Sequence, residues 1–293
     1  MKFASFSQNG RKGLAVETDT GFRGLTEDAP GYPGSLLSLL RSGQDALPRA
    51  HAVLAKGAVI DLDKVVLMPP VSDPEKIVCV GLNYSDHSAE SGFEQPDYPT
   101  LFGRFNSSLI GHGAPILRPD VSEQLDYEGE LVAIIGREAR NVPVDRALDH
   151  VAGYSIFNDA SVRDYQFKAP QWTAGKNFDD TGAFGPVFVT SDALPAGCQG
   201  LTLITRLNGQ VVQQAPIDSM VFSVAELVSI CSDFMTLRPG DVIVTGTPSG
   251  VGLARDPKLW MKDGDVCEVE ITGLGVLSNP IRDAQNDMLA KSA

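Results

Sequence analysis

Residues 131–136 read Leu-Val-Ala-Ile-Ile-Gly, and directly before them stands Asp126-Tyr-Glu128-Gly-Glu130. An unbroken apolar run of this kind, closed by glycine, predicts a strand buried on both faces, because a strand with one wet face would alternate apolar and polar residues. Glu128 and Glu130 are two residues apart on the approach to that strand, so they point to the same face. Side-by-side carboxylates at the end of a central strand repel each other and lose hydration unless a cation sits between them. The pattern predicts a metal site.

A third oxygen ligand is expected from another strand end. The segment SIFND (155–159) reads as a strand, and its closing Asp159 is badly placed for packing. The alternative for Asp159 is a turn or helix N-cap residue. Three carboxylates with no adjacent His or Cys select a hard ion, Mg²⁺ or Mn²⁺, with positions left for water and substrate. His87 is followed by Glu90 at i+3, a spacing that puts imidazole and carboxylate on one side of a helical turn, as a base and its orienter or as ordinary surface neighbours. Gly81, Ser91 and Gly92 around them suit a loop that closes over substrate. His51, His112 and His150 lack such a partner and read as structural or exposed. Arg163 and Lys176 could each meet a carboxylate or remain surface charges. The loop Gly246-Thr-Pro-Ser-Gly-Val-Gly252 lacks the terminal Lys-Ser/Thr of a phosphate loop and reads as a tight turn whose Thr247 approaches a ligand.

The chain has 293 residues and a formal net charge of −13, which argues against a nucleic-acid partner, since an acidic surface repels polyanions. A small anionic substrate would therefore need a local cation. Four widely spaced cysteines form no CxxC pair, so neither a zinc ribbon nor a disulfide framework is expected. The N-terminus turns polar within eight residues and no window approaches a membrane span, so we expect a cytoplasmic protein with no membrane partner.

Short strands (KFASF, KGLAVET, a turn at Gly21) and the periodic SLLSLLRSG precede a Pro-rich link at Met68–Pro74. This divides the chain into a small N-terminal α/β cap domain, 1–70, and a catalytic domain, 71–293. In the second part we expect a strand at IVCVG (77–81), a short helix through RALDHVA (146–152), and a helix after the Ser223-Val-Ala-Glu226 capping box. LRPGDVIVTG and MKDGDVCEVE should each be a Gly-Asp turn feeding a strand. With no regular βαβ alternation, the fold class is α+β, mainly β.

The order NYxxHxxE, DYExEL, NDxSxRD, GKxFD and GTPxGVG, from about Lys76 to Pro280, resembles the fumarylacetoacetate hydrolase family. The resemblance implies a mixed β-sandwich roll and a homodimer. It implies that Glu128, Glu130 and Asp159 hold Mg²⁺ or Mn²⁺, that His87 and Glu90 form a lid dyad, and that Lys176 is the active-site lysine. It implies substrate contacts from Arg163, Gln166 and Thr247. Three positions depart from the pattern: Gly129 stands where a larger apolar residue is common, Val162 replaces Ala, and Arg104 occupies the place of a Lys-Pro. The activity expected is hydrolysis of a C–C bond in a 2,4-diketo acid, an acylpyruvate or a sugar-derived diketo-deoxy acid, to pyruvate and a second acid. In that chemistry His87 activates the water and Lys176 offsets negative charge. The alternatives are 2-oxo-acid decarboxylation, as of oxaloacetate, enol–keto isomerisation or hydration on the same site, or a non-catalytic binding module.

Overall fold

The computed structural model describes residues 1–86 and 97–285. The chain opens with β1 (Lys2–Gln8), β2 (Arg11–Thr18) and β3 (Gly21–Thr26). Helices α1 (Leu36–Arg41) and α2 (Ala46–Leu54) follow, then the short β4 (Ala58–Val59) and β5 (Val66–Leu67). Next come β6 (Ile77–Gly81), β7 (Thr100–Gly103), β8 (Leu109–Ile110), β9 (Ile116–Arg118), β10 (Leu125–Asp126) and β11 (Gly129–Ile135). The one-turn α3 (Val144–Ala147) leads to β12 (Val151–Asp159), β13 (Ser161–Val162), α4 (Arg163–Gln166), α5 (Thr173–Lys176) and β14 (Gly182–Thr190). The chain closes with β15 (Thr202–Leu207), β16 (Gln210–Pro216), α6 (Val224–Phe234), β17 (Val242–Val244), β18 (Val266–Ile271) and β19 (Gly275–Asp283).

The strands form a large sheet in the order β4-β3-β2-β1-β14-β12-β11-β17-β6-β7, a five-stranded sheet β16-β15-β18-β19-β9, and the pair β10-β13. This is the strand-rich α+β architecture expected. β1 pairs with β14, so the N-terminal strands continue the sheet that carries β11 and β12.

β11 is buried at all seven positions, and its period of two sorts the side chains between two cores. Leu131, Ala133 and Ile135 pack with Leu203, Val269 and Leu277 of the five-stranded sheet. Val132 and Ile134 join Phe3, Leu36, Leu39, Leu47 and Leu54. Its neighbours are β12 and the β-branched β17, so both edges are hydrogen-bonded as well. Burial on two faces and pairing on two edges explains why no polar residue interrupts LVAII.

Several local signals act as expected. Ser223 caps α6 by accepting from the Glu226 amide, while the Glu226 carboxylate accepts from the Ser223 amide. Leu227, Val228 and Cys231 are the buried face of that helix. The two Gly-Asp turns share one device: Asp241 accepts from the Arg238 amide at 2.7 Å and Asp265 from the Lys262 amide at 2.9 Å, each closing the turn ahead of β17 and β18. Gly240 and Gly264 supply the left-handed backbone, with φ of 95° and 88°. The helix expected through 146–152 is shorter. It runs as α3 and a 3₁₀ turn to His150, and Val151 and Ala152 already belong to β12, because Val151 is claimed by Ile135 across a bulge. β3 and α2 were not expected from the sequence.

Candidate active site

Alternation on β11 and β12 places the charged residues. Glu130 shares the face of Val132, and Asp159 the face of Phe157, at the ends of these strands away from Ile134. Glu128 lies one residue before β11, and its carbonyl accepts from the Asp159 amide at 2.8 Å, so pairing continues past the strand end. Carboxylate oxygens of Glu128, Glu130 and Asp159 consequently lie within 4.8 Å of one another, and all three residues are buried. The expected triad is assembled.

Three buried cations surround it. Lys176, at the end of α5 and 1% exposed, donates from Nζ to Glu128 Oε2 at 2.6 Å and to Asp159 Oδ2 at 2.7 Å. Arg163 Nη1 meets Glu128 Oε1 at 2.6 Å and Gln166 Oε1 at 2.9 Å, while its Nε donates to Asp126 Oδ2 at 2.8 Å. Arg163 Nη2 is buried and has no acceptor among the described residues. Arg104 donates from Nε to Asp159 Oδ1 at 2.5 Å.

Backbone donors complete the site. Glu130 Oε2 accepts from the Gly246 amide at 2.5 Å. Asp126 accepts from the amides of Gly252 and Leu253, which ties the end of the 246–252 loop to Arg163. Thr247 Oγ1 donates to the Gly129 carbonyl and accepts from Gln213 Nε2. Gly129 itself is required by contact: a Cβ there would lie 2.2 Å from Thr205 Oγ1 of the facing sheet.

A cleft opens on this cluster. It is lined by Glu128, Glu130, Arg163, Gln166, Lys176 and Thr247 on its polar side. Phe102, Phe167 and Trp172 wall the other. Trp172 meets Phe102 edge-on, with centroids 5.5 Å apart, and lies so close to Gly81 that a Cβ there would fall 2.3 Å from the indole ring.

Burial is the main reason Glu130 is held well above the usual carboxylate range, with Asp159 and Glu128 adding to the effect and Lys176 opposing it. Lys176 shows the opposite balance: burial alone would lower it, but Asp159 and Glu128 outweigh that and keep it a firmly protonated ammonium. Among the described residues, Asp126, Glu128, Glu130 and Asp159 carry four potential negative charges against the three cations, an excess of one. A divalent ion turns this into a net positive site for an anionic substrate, and an all-oxygen donor set fits a hard ion.

Of the expected site residues, Glu128, Glu130, Arg163, Gln166, Lys176 and Thr247 line one cleft, and Asp159 meets the two glutamates within 4.8 Å. His87 and Glu90 lie outside the described residues. His112 and His150 are tied to backbone groups, His112 Nδ1 by the Ser278 amide and His150 Nδ1 at the Glu138 carbonyl. Sequence reasoning missed Asp126, Gln213 and Trp172. Asp126 stands two residues before Glu128, the same spacing that singled out the glutamates, and could have been found by it. Nothing local marks Gln213 or Trp172.

Residues 76–282 match the family model of the fumarylacetoacetate (FAA) hydrolase C-terminal domain. The mitochondrial oxaloacetate tautomerase of Xenopus laevis is 38% identical over 281 residues, which is 95% of this chain and 88% of that protein. The structure of a fumarylacetoacetate hydrolase from Exiguobacterium antarcticum superposes with a TM-score of 0.82 at 36% identity, covering 97% of this chain and 99% of that one. That of a 5-carboxymethyl-2-hydroxymuconate delta-isomerase from Mycobacterium smegmatis gives 0.75 at 31% identity, covering 97% and 99%.

Proposed function

The chain belongs to the fumarylacetoacetate hydrolase family, and from that premise and the site geometry we propose that it is a divalent-metal-dependent enzyme interconverting the keto and enol forms of a small 2-oxo acid, with oxaloacetate-type dicarboxylates as its substrate class. The observation that carries the reading is Arg163 Nη2, a buried donor without an acceptor among the described residues, in a cleft lined by Glu128 and Glu130 of the carboxylate triad. A substrate carboxylate would supply its acceptor.

Glu128, Glu130 and Asp159 would hold the ion, Mg²⁺ or Mn²⁺, whose chemistry when bound is Lewis-acid polarisation of the 2-oxo group. Arg163 orients the substrate carboxylate, with Gln166 steadying its Nη1 and Asp126 its Nε. Lys176 remains protonated and offsets the negative charge that develops on the enolate oxygen. In the keto-to-enol direction the proton on C3 is assigned to His87, with Glu90 as its orienter, on their HxxE spacing. Passed on from the imidazolium through solvent to the 2-oxygen, that proton completes the enol; ketonisation is the reverse. Phe102, Phe167 and Trp172 keep bulk water from the carbanionic carbon.

The relatives favour proton transfer over the C–C hydrolysis that the motifs first suggested, since oxaloacetate tautomerase and a delta-isomerase are among them. Hydrolysis of a 2,4-diketo acid is the second reading, supported by the 36% identity to the fumarylacetoacetate hydrolase. It differs in needing an activated water. One experiment separates the two: enol oxaloacetate and a panel of acylpyruvates are each mixed with Mn²⁺-loaded protein, following loss of enol absorbance and, by a coupled assay, release of pyruvate. Tautomerisation predicts faster enol decay of oxaloacetate with no pyruvate beyond a protein-free Mn²⁺ control. Stoichiometric pyruvate from an acylpyruvate, with no effect on oxaloacetate, would replace the first reading by the second.

A further inference from the structure

Arg104 follows β7 and its guanidinium is fully buried, yet it is not among the residues lining the cleft. It spends its donors on four partners: Asp159 Oδ1 at 2.5 Å, the Ala160 carbonyl at 2.6 Å, Ser108 Oγ at 3.2 Å and Thr181 Oγ1 at 3.4 Å. The planar fork fixes the direction of each bond, which a lysine ammonium on a flexible stem cannot do. The group is further seated over the Phe157 ring, 5.6 Å from its centroid.

The neighbouring strand is shaped to receive it. Gly182 opens β14 and pairs in register with Asp159. A Cβ on Gly182 would lie 2.4 Å from Arg104 Nη1 and 3.0 Å from Phe157 Cζ. Residues far apart in the chain, Arg104, Asp159 and Gly182, therefore form one packed unit.

The consequence falls on Asp159. Its two oxygens are held by different cations on different sides, Oδ1 by Arg104 in the protein interior and Oδ2 by Lys176, which lines the cleft. Rotation of the carboxylate would break both contacts. We propose that Arg104 is a positioning residue that locks Asp159 with Oδ2 presented to the metal held by the triad and Oδ1 withheld from it. This rests on the metal-site reading under Proposed function. A carboxylate can bind a hard cation through one oxygen or both, and Arg104 restricts Asp159 to one, which leaves ion positions for substrate.

The test turns on a sign. Arg104 is a positive charge close to a cation site, so on electrostatics alone its removal should tighten metal binding. If it acts by positioning, removal should weaken binding, by about 10–100-fold as for other residues that orient metal ligands. Full-length protein stripped by chelator is titrated with Mn²⁺, free ion being read by electron paramagnetic resonance, for wild type, Arg104→Met, Arg104→Lys and Gly182→Ala. We expect Arg104→Met to bind most weakly and Arg104→Lys to fall between it and wild type. Gly182→Ala, which leaves the arginine in place but crowds Nη1, should also weaken binding. Near-UV circular dichroism establishes that each variant is folded, and if Arg104→Met is not, the other two decide. Tighter or unchanged binding in the folded variants overturns the proposal. Failure of the wild type to bind Mn²⁺ would overturn the metal-site reading with it, so the two failures are distinguishable.

Discussion

Lys176 allows the charge balance of the site to be tested by a single substitution, Lys176→Met. The ammonium bridges Glu128 and Asp159 at 2.6 and 2.7 Å in a fully buried position. At an effective dielectric of about 20, each contact carries roughly 6 kcal/mol of attraction, against which stands a desolvation cost of several kcal/mol per buried ion. Removing one partner of a buried pair costs about 3–5 kcal/mol net, because the remaining charge is left uncompensated. Here two carboxylates lose their bridge, and the cluster goes from four acids against three cations to four against two. For a chain of this size, about 2 °C per kcal/mol translates this into a fall of roughly 6–10 °C in melting temperature. The same variant has a stronger field for cations. Saturating Mn²⁺, worth about 4 kcal/mol at a thousand times its Kd, should therefore rescue the variant more than the wild type. The assay is differential scanning fluorimetry of both proteins in chelator and in Mn²⁺. A difference of less than about 1 °C in chelator, below the range expected for an uncompensated buried charge, would refute the charge argument. So would an undiminished gap in Mn²⁺.

Further predictions follow from other contacts. Gly81→Ala should displace the Trp172 ring, whose nearest carbon would lie 2.3 Å from the new methyl, and raise KM for a 2-oxo acid with little change in global stability. Steady-state kinetics and a melting curve check this pair of outcomes. Ser223→Ala removes the hydroxyl that caps α6 and should cost about 0.5–2 kcal/mol in urea denaturation, with the metal site intact. Cys198, Cys231 and Cys267 are each pushed up to about 12 by burial, and burial also raises the Cys79 thiol well above its usual range, so the native protein should give no rapid thiol reaction with a disulfide reagent at pH 8. All four should react in denaturant. Because these pKa values are raised, a thiolate would appear only at strongly alkaline pH. A fast-reacting native thiol at pH 8 would contradict the burial assigned to that cysteine.

What could be read from the chain alone was what neighbours within a few residues decide. The capping box at Ser223–Glu226, the Gly-Asp turns before β17 and β18, and the i, i+2 pair Glu128 and Glu130 all depend on separations of four residues or fewer, where covalent geometry sets which groups meet. The continuous apolar run was enough to announce a strand buried on both faces. α2 was obscured by Pro48, which stands in the first turn, where its missing N–H costs nothing. β3, interrupted by glycine and polar residues, is a strand because β2 supplies a partner at every position from Gly13 to Thr18.

The metal-site surroundings lay beyond such reasoning. Arg104 looked like a departure from a pattern until the fold brought it 55 positions along the chain to Asp159 and opposite Gly182. Arg163 and Lys176 could be suspected of meeting carboxylates, but which oxygen each would take was set by α4 and α5 after β12 was paired. Charges in a buried cluster have no periodicity, since what they answer to is the sum of a local field assembled from distant segments. The chain therefore determines by itself its apolar central strand, the helix cap and turns, and the i, i+2 pair of glutamates. Only tertiary packing decides how four acids and three bases are balanced, and so where a divalent ion is wanted.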